Sequence, residues 1–411
     1  MTLLVETPPG YEPEREYVLG VVLGDWLGLE WKMRTADRRD VRISLGEDAV
    51  ILPDVLFATP PDEWLTEGSV PTLGALEHDV LGTAFFMLTR YEEIAVAQRD
   101  QHDRFPVGAS AAAREGALGR PVVDEAVERL WEQLQRVWPR LERRETSFEL
   151  VLTHDIDHPL STLQHTPRDV VRELGGDLVR RRDGRLAARR VRSLLGKRDL
   201  DPNNTYDFLM DVSERHGLRS AFYFLAHRDD APRAGPYLFE HPWVRRLIGR
   251  IAGRGHEIGL HASLPTYRDA NLTREELGRL LRVAEAEGVE QDEWGGRQHY
   301  LRWANPDTWR NWEAAGLAYD CTLGYSETVG FRTGTCHPYR VFDLRARRPL
   351  NLREEPFQVM DVARASWPQL DAIAQQCRRH RGRFGMLWHN NTMLRSAREQ
   401  ASYAEMIERL A

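Results

Sequence analysis

The residues best suited to catalysis or metal binding lie in segment 153–158, which reads Thr-His-Asp-Ile-Asp-His. This segment follows the apolar run 148–152, which predicts a short buried strand. Because side chains alternate along a strand, Asp155 and Asp157 point to the same face. Two neighbouring carboxylates repel each other unless a cation or a proton lies between them. The pair therefore indicates a metal site or an acid–base pair, and a solvated strand end is the alternative for this motif taken alone.

Further polar segments recur where other strands are predicted to end. They are segments 256–261, 297–300, 330–334 and 387–391. A single histidine in such a place is more often structural. Several carboxylates and histidines at the carboxyl ends of successive strands are a stronger signal, since α/β barrels build their active sites at that edge.

The elements that must hold these residues alternate between apolar runs and amphipathic helices, which favours a parallel α/β architecture. Strands are predicted at 148–153, 219–225, 257–260, around 296–301, 319–320 and 383–388. Helices are predicted at 205–216 and 273–287. The second of them carries a Thr-x-x-Glu capping box at Thr273 and Glu276.

Residues 1–146 are predicted to form a smaller α/β domain, followed by a second domain over 147–411. Strands are expected at 17–23 and 49–53, and helices at 79–93 and 121–138, with Asp79 as a helix N-cap. The sequence shows no catalytic constellation in this first domain.

Composition narrows the class of protein. The chain has 411 residues, 42% hydrophobic and 29% charged, which is typical of a soluble globular protein with two cores. A net charge of −7 gives no pull toward nucleic acid or membrane. Three cysteines are too few for a disulfide scaffold, and Cys321 and Cys336 are predicted to be free thiols. Without a signal peptide or an apolar run of about 20 residues, the chain is predicted to be cytoplasmic.

One arginine-rich stretch, 180–198, has leucines at helical spacing. A solvated amphipathic helix is the interpretation that we favour. The alternative is a basic arm for an anionic substrate or a phospholipid surface.

Over roughly residues 147–395, the order and spacing of these motifs resemble those of the polysaccharide deacetylases. Segment 153–157 resembles the Thr-Phe-Asp-Asp motif of that family, and segment 255–261 resembles its Gly-His-Glu-Ile-Gly-Asn-His motif. Segment 297–300 stands where the family has Arg-x-Pro-Tyr, and segment 387–389 resembles its closing Leu-hydrophobic-His. The tract 79–93, followed by 102–105, is similar to an uncharacterised N-terminal module found in one bacterial subgroup of such proteins.

The resemblance implies a distorted seven-stranded (β/α) barrel and a set of residue roles. Asp155 would be the general base on a metal-bound water, and Asp157 and His261 would be metal ligands. Arg297 would pair with Asp155 and lower its pKa, while His389 would be the general acid for the leaving amine. Substrate contacts are expected from Tyr300, Arg332 and Trp388.

The sequence departs from the family in two places: the first motif is Asp-x-Asp, at Asp155 and Asp157, rather than Asp-Asp, and one metal ligand is missing. The family's second histidine would fall at Pro265, and a catalytic metal normally has three protein ligands. His299 is the first candidate to replace it, because it stands where the family has a proline. The weaker candidates are His256, Ser263, His158 and His337. The cofactor expected is a divalent metal, with zinc first and iron, cobalt or nickel also suited to these ligands.

The function implied is metal-dependent hydrolysis of an N-acyl group, such as acetyl, on an amino sugar or a sugar-like small molecule. The substrate is expected to be a small or carrier-linked sugar. Two alternatives stay open: the same barrel acting on a different C–N bond or by a non-hydrolytic reaction, and a metal-free binding protein. The oligomeric state and the exact substrate are not specified by the sequence.

Overall fold

The computed structural model describes residues 1–163, 167–226, 239–392 and 396–411, and it begins with a small mixed sheet. The strands of this sheet are β1 (Thr2–Thr7), β2 (Glu30–Thr35), β3 (Val41–Leu45) and β4 (Asp48–Leu52). Strand β1 pairs in parallel with β2 and antiparallel with β3, which pairs antiparallel with β4. The strand predicted at 49–53 is confirmed by β4.

The amino-terminal part also contains five helices, some of which pack against this small sheet or against a strand of a second, larger sheet. They are α1 (Glu12–Leu19), α2 (Val80–Leu88), α3 (Tyr91–Ala95), α4 (Ala111–Arg114) and α5 (Val122–Val137). The predicted N-cap is confirmed, since Asp79 accepts a hydrogen bond from the Gly82 amide at 2.7 Å. The helix predicted at 79–93 is divided in two, because Arg90 adopts a left-handed conformation with φ of 52°.

The strand predicted at 17–23 is wrong. This run belongs to α1 and to the π-helical segment Gly20–Trp26 that follows it. A short apolar run does not distinguish a strand from a buried helix. The deciding features lie before it, where proline occupies the first turn and Glu12 and Glu14 complement the positive end of the helix.

The larger sheet has nine strands and positions the polar segments described above. Its strands are β5 (Glu149–Ile156), β6 (Ala221–Leu225), β7 (Glu257–Ala262), β8 (Gly295–Gln298), β9 (Tyr319–Asp320), β10 (Tyr339–Asp343), β11 (Arg348–Glu354), β12 (Val359–Met360) and β13 (Arg383–Leu387). Their order is β10-β11-β9-β8-β7-β6-β5-β13-β12. Every neighbouring pair is parallel except β10 and β11.

The six strands predicted in this part of the chain are present, but a closed seven-stranded barrel is not. Within the described residues, no hydrogen-bonded ladder joins the two outer strands, β10 and β12. Only residues 355–358 separate β11, which pairs with β9, from β12, which pairs with β13. This short connection brings the two ends of the sheet close together, so the sheet curls without closing.

Eight helices in the described residues accompany the larger sheet. They are α6 (Pro167–Gly175), α7 (Gly184–Leu194), α8 (Tyr206–Arg215), α9 (Pro242–Gly253), α10 (Ala270–Ala286), α11 (Asp307–Ala315), α12 (Trp367–Arg379) and α13 (Ala397–Leu410). The capping box predicted at Thr273 is wrong, since α10 begins earlier, at Ala270, with Asp269 as its N-cap. The carboxylate of Glu276 instead accepts a hydrogen bond from the Ser263 amide at 2.9 Å.

The amino-terminal part packs tightly against the larger sheet. Tyr17 donates a hydrogen bond to the Arg340 carbonyl at 2.7 Å, and the buried Glu93 forms an ion pair with Arg332 at 2.8 Å. One continuous apolar core contains residues of both parts. The boundary at 146/147 stays a prediction, but the two parts share an extensive contact.

The arginine-rich stretch is helical over much of its length, within α7. Arg190 is buried and pairs with Asp177 at 2.8 Å. Val179 and Leu195 are 79% exposed, which leaves apolar groups beside the remaining arginines. The two interpretations of this stretch remain predictions.

Two simpler expectations can be compared with the structure. Cys321, Cys336 and Cys377 are all buried and free, as predicted for the first two. In the described part of the chain, no helix has both the length and the apolar character needed to cross a membrane. The location of the protein in the cell stays a prediction.

Candidate metal centre

Residues from four strands meet at the carboxyl-terminal edge of the larger sheet. Asp155 is the penultimate residue of β5, and Asp157 follows that strand. His261 lies near the end of β7. His299 follows β8, and His389 follows β13. Because these strands are parallel members of one curled sheet, their carboxyl ends bring the five side chains to one place.

Three of these residues form a group with the spacing of metal ligands. One potential ligand atom from each of Asp157, His261 and His299 lies within 4.8 Å of the other two. The Asp157 Oδ1 atom is 3.1 Å from His261 Nε2 and 3.6 Å from His299 Nε2. The structure thus brings His299, the first candidate for the missing ligand, into the same group as the two ligands implied by the motifs.

The hydrogen bonding of His261 fits a cation in this group. Its Nδ1 lies 3.1 Å from the Arg297 carbonyl, an acceptor, so Nδ1 carries the proton and Nε2 presents a lone pair. That lone pair is buried and faces a carboxylate oxygen of Asp157. Two acceptors face each other unless a cation or an extra proton lies between them, so the donor set suits a divalent metal.

Asp155 lies beside this group in a buried ion pair. Arg297 donates to Asp155 Oδ1 at 2.7 Å and to the Cys321 carbonyl at 2.7 Å. The rings of Tyr223 and Phe357 lie 5.1 Å and 4.8 Å from the guanidinium, which fixes its plane. Burial opposes ionisation, but the charges of Arg297 and then His261 lower the pKa of Asp155 below its ordinary value.

The imidazole of His389 is held by a carboxylate that the sequence analysis did not select. Asp361 accepts a hydrogen bond from the His389 amide at 3.0 Å and contacts its Nδ1 at 2.9 Å. This leaves Nε2 directed toward Asp157, with 3.7 Å to Oδ2. Burial opposes protonation, but Asp361 and then Asp157 raise the pKa of His389 to about 10. Asp361 escaped notice because it follows β12, a strand of two residues.

The group lines an open cavity of about 460 Å³, and the amino-terminal part contributes to its wall. His102 and Arg104 line the cavity together with Tyr300, as do His158 and Glu327. Segment 102–105 resembles part of a module signature, but the sequence predicts no role for its residues. A contact between segments almost 200 residues apart leaves no local pattern to detect.

Arg104 also supports the backbone next to His299. Tyr300 and Leu301 both adopt left-handed conformations, with φ of 61° and 53°, which is unfavourable for residues with large side chains. Arg104 donates to the Tyr300 carbonyl at 3.1 Å, and its Nε donates to Asp100 at 2.8 Å. The Tyr300 ring lies 4.5 Å from the His299 ring. The amino-terminal part thus helps to hold the segment that carries His299.

Two predicted substrate contacts are not in the cavity wall. Arg332 donates to both carboxylate oxygens of Glu93, at 3.0 Å and 2.8 Å, so its charge is used within the protein. The ring of Trp388 packs 5.4 Å from the Tyr403 ring. Only Tyr300 of the three predicted contacts lines the cavity.

The weaker ligand candidates also lie elsewhere, with one exception. His256 accepts a hydrogen bond from the Ser220 amide at 3.1 Å, before the amino end of β7. Ser263 bonds to Glu276, and His337 belongs to a different cluster. His158 lines the cavity but is not part of the group of three.

Comparisons with known proteins match different parts of the chain to different proteins. The model of a family of unknown function, DUF7033, matches residues 3–139, which is the amino-terminal part. No curated protein matches the chain. The similar solved structures include a putative polysaccharide deacetylase, an allantoinase and the Xyl-CE4 domain of a multidomain xylanase.

Three of these structures show the extent of the likeness. A putative polysaccharide deacetylase from Mycobacterium smegmatis is 16% identical, with 65% of this chain and 85% of that chain covered and a TM-score of 0.41. The Puue allantoinase is 11% identical, covering 64% and 84%, with a TM-score of 0.40. A mutant of BA3943, a CE4 family pseudoenzyme with restored activity, is 11% identical, covering 65% and 63%, with a TM-score of 0.33. Likeness at this level assigns no activity to this chain.

Proposed function

We propose that the protein is a metal-dependent hydrolase that removes an N-acyl group, such as acetyl, from an amino sugar or a sugar-like small molecule. One observation carries the proposal. The group Asp157, His261 and His299 lies in an open cavity between an arginine-held carboxylate, Asp155, and a carboxylate-held imidazole, His389. Ligands, a base and an acid in one place are what amide hydrolysis requires.

The cation that this group would hold is divalent, with Zn²⁺ first and Fe, Co or Ni also suited to the donors. Such an ion supplies polarisation of the amide carbonyl and activation of a water molecule. The Arg297 carbonyl fixes the His261 ring through Nδ1, so Nε2 keeps the orientation of a ligand.

Asp155 is the general base in this proposal. Its Oδ1 accepts from Arg297, whereas Oδ2 lies 3.8 Å from His261 Nε2 and faces the group. The lowered pKa keeps Asp155 ionised near neutral pH, so the carboxylate is ready to accept a proton from water. Arg297 then stabilises the orientation of the base rather than contacting the substrate.

His389 is the general acid. Asp361 accepts from its Nδ1, and the raised pKa means that Nε2 also carries a proton near neutral pH. Amide hydrolysis needs a proton for the departing nitrogen, and an imidazolium at the edge of the cavity supplies it.

The size of the cavity supports a small substrate unit. A volume of about 460 Å³ lies within the range of small-molecule sites, roughly 300–1,000 Å³. Tyr300 and His102, whose rings are 5.0 Å apart, offer aromatic faces to a sugar ring. A single amino-sugar residue, free or linked to a carrier, is therefore the proposed substrate class.

The test combines metal analysis with product analysis. We expect the purified protein to bind Zn²⁺ or Co²⁺ at this centre and to release acetate from N-acetylated amino sugars. His261→Ala should lose the ion at the centre and reduce kcat/KM by at least about 10³-fold, because the ligand group and the cation chemistry are lost together. The matched control is His78→Ala, which changes an exposed histidine.

Two outcomes would contradict the proposal. A wild-type protein that binds no divalent ion sensitive to His261→Ala would exclude the metal centre. A protein that binds the ion but releases a different product from a C–N substrate, with no acetate from any amino sugar, would favour another hydrolysis at the same site.

A further inference from the structure

A second cluster of potential ligands lies away from the cavity, where the amino-terminal part meets the larger sheet. We call it the junction cluster, and it consists of Asp124, Cys336, His337, Cys377 and His380. It joins three elements: the first turn of α5, the loop before β10, and the carboxyl end of α12. None of these residues has a role in the proposed hydrolysis.

Three members of the junction cluster have ligand atoms close to one another. Potential ligand atoms of Asp124, Cys336 and His337 lie within 4.8 Å of one another. The Cys336 Sγ atom lies 3.1 Å from Asp124 Oδ2. In a tetrahedral zinc site with bonds of about 2.0–2.3 Å, neighbouring ligand atoms are roughly 3.3–3.8 Å apart, so modest side-chain shifts suffice.

The other two members supply an independent observation. His380 is 5% exposed, and neither of its ring nitrogens has a hydrogen-bond partner among the described residues. It lines a cavity of about 180 Å³ together with Asp124 and His337. A buried imidazole without partners is costly, and a cation or water in this cavity would satisfy it. Cys377 is fully buried, and the nearness of its thiol is the largest cause of the raised pKa of Cys336.

The spacing and the surroundings favour a cation over water alone. Cys377 and His380 are three positions apart at the end of α12, so they lie on the same side of the chain. The carboxyl end of a helix carries partial negative charge, which favours a cation there. Two thiols, two imidazoles and a carboxylate also form a donor set typical of Zn²⁺ rather than of Mg²⁺ or Ca²⁺.

We propose that the junction cluster binds a second, structural ion of the Zn²⁺ class, with Asp124, Cys336 and His337 as three of its ligands. The fourth ligand comes from the end of α12, where Cys377 and His380 are both available. The ion ties α5 to the larger sheet and to α12, and it takes no part in turnover. Binding removes the thiol proton of Cys336, which leaves to solvent, so no oxidant or reductant is needed.

Cobalt spectroscopy on the reduced, full-length protein tests this proposal without any activity measurement. We call the group Asp157, His261 and His299 the cavity centre. The His261→Ala protein lacks this centre, so any remaining Co²⁺ reports on the junction cluster. We expect one equivalent of Co²⁺ to remain and to show thiolate-to-cobalt charge-transfer absorption in the near ultraviolet. An Asp/His centre cannot give that absorption, because it contains no thiolate.

The ligands are then removed one at a time in the same background. Cys336→Ser should abolish the charge-transfer absorption and the equivalent of Co²⁺, and it should lower the thermal midpoint measured in excess Co²⁺. If Cys336→Ser does not fold, His337→Gln serves instead, since it keeps both thiols and should still weaken binding. Cys321→Ser, a buried thiol outside the cluster, is the control.

The proposal is overturned if the reduced His261→Ala protein binds no Co²⁺, or binds it without thiolate absorption. A cluster that merely forms a disulfide between Cys336 and Cys377 gives the first of these results after reduction. Failure of the hydrolase proposal looks different, since it leaves the Co²⁺ content of the junction cluster unchanged.

Discussion

The cavity centre and the junction cluster contain similar ligands in very different surroundings. The cavity centre lies at the carboxyl ends of parallel strands, beside an open space of about 460 Å³. Two neighbouring side chains are each held by an oppositely charged partner: Arg297 holds Asp155, and Asp361 holds His389. The junction cluster lies between packed elements beside about 180 Å³, and it has thiols instead of an acid–base pair.

This difference teaches how the same residue types acquire different roles. At the strand ends, the backbone is already fixed by the sheet, so side chains can be oriented toward a substrate without holding the fold together. At the junction, ligands come from segments with no ladder between them, so binding a cation contributes to stability instead. A mutation at one site should therefore change turnover, and a mutation at the other should change unfolding.

Among variants that keep the cation, the largest effect should come from the general base. Asp155→Asn keeps the size of the side chain and an oxygen for Arg297, but it removes the proton acceptor. We expect kcat to fall by about 10²–10⁴-fold, the usual contribution of acid–base catalysis, while metal content stays as in the wild type. Steady-state kinetics and metal analysis measure the two quantities.

Asp62→Asn, at an exposed position, is the matched control for this change. Cys377→Ser completes the comparison, because it should leave kcat unchanged and lower the thermal midpoint. An Asp155→Asn protein with wild-type kcat would remove the base from the proposed mechanism. A Cys377→Ser protein with a strongly reduced kcat would show that the two regions are not independent.

An intermediate effect is expected from Arg104, which connects the amino-terminal part to the cavity centre. Arg104→Met removes the donor to the Tyr300 carbonyl, so the left-handed segment after His299 loses support. Loss of such a supporting hydrogen bond typically costs about 10–100-fold in metal affinity. Competition with a chromophoric chelator measures this affinity, and Co²⁺ absorption at the junction cluster should not change.

Arg120→Met is the control for Arg104→Met, because Arg120 forms an exposed ion pair with Glu125. Equal metal affinities for Arg104→Met and the wild type would mean that His299 needs no support from the amino-terminal part. The same result would also leave that part without a role at the cavity centre.

Most residues of the cavity centre can be predicted from the sequence, but the residues that hold them in place cannot. Asp155, Asp157 and His261 belong to local motifs next to apolar strands, so pattern and spacing located them. His299 was selected because a histidine replaces a proline in a motif. Asp361 follows a strand of two residues, too short for a hydrophobic pattern to develop.

The strands show the same contrast: those with a local apolar pattern can be predicted, and those that depend on distant pairing cannot. Strands β5, β6, β7 and β13 are apolar and short, and they were predicted correctly. The edge strand β10 and the interrupted stretch of β11 and β12 were not predicted, because their pairing depends on how the sheet curls. The run 17–23 was assigned to a strand although a helix start precedes it, since apolar character alone does not determine the period.

The smallest expected effect concerns two buried carboxylates on neighbouring strands of the larger sheet, which differ from Asp155 in their surroundings. Asp320 and Glu354 are fully buried partners on β9 and β11, and no cationic side chain in the described part of the chain forms an ion pair with either. Burial raises the pKa of Asp320 to about 7 and that of Glu354 well above its ordinary value. By contrast, Arg297 lowers the pKa of Asp155.

A raised carboxyl pKa makes the folded protein bind a proton that the unfolded chain releases near pH 4. Stability from this source is complete below about pH 4 and is lost as the pH rises through about 7, by up to roughly 1.4 kcal/mol per pH unit for one proton.

Asp320→Asn removes one titrating group and keeps the acceptor for the Thr322 hydroxyl. We expect a smaller loss of unfolding free energy between pH 5 and pH 7 in urea titrations, relative to the wild type and to Asp62→Asn. Equal slopes in all three proteins would mean that Asp320 is already ionised in the folded state.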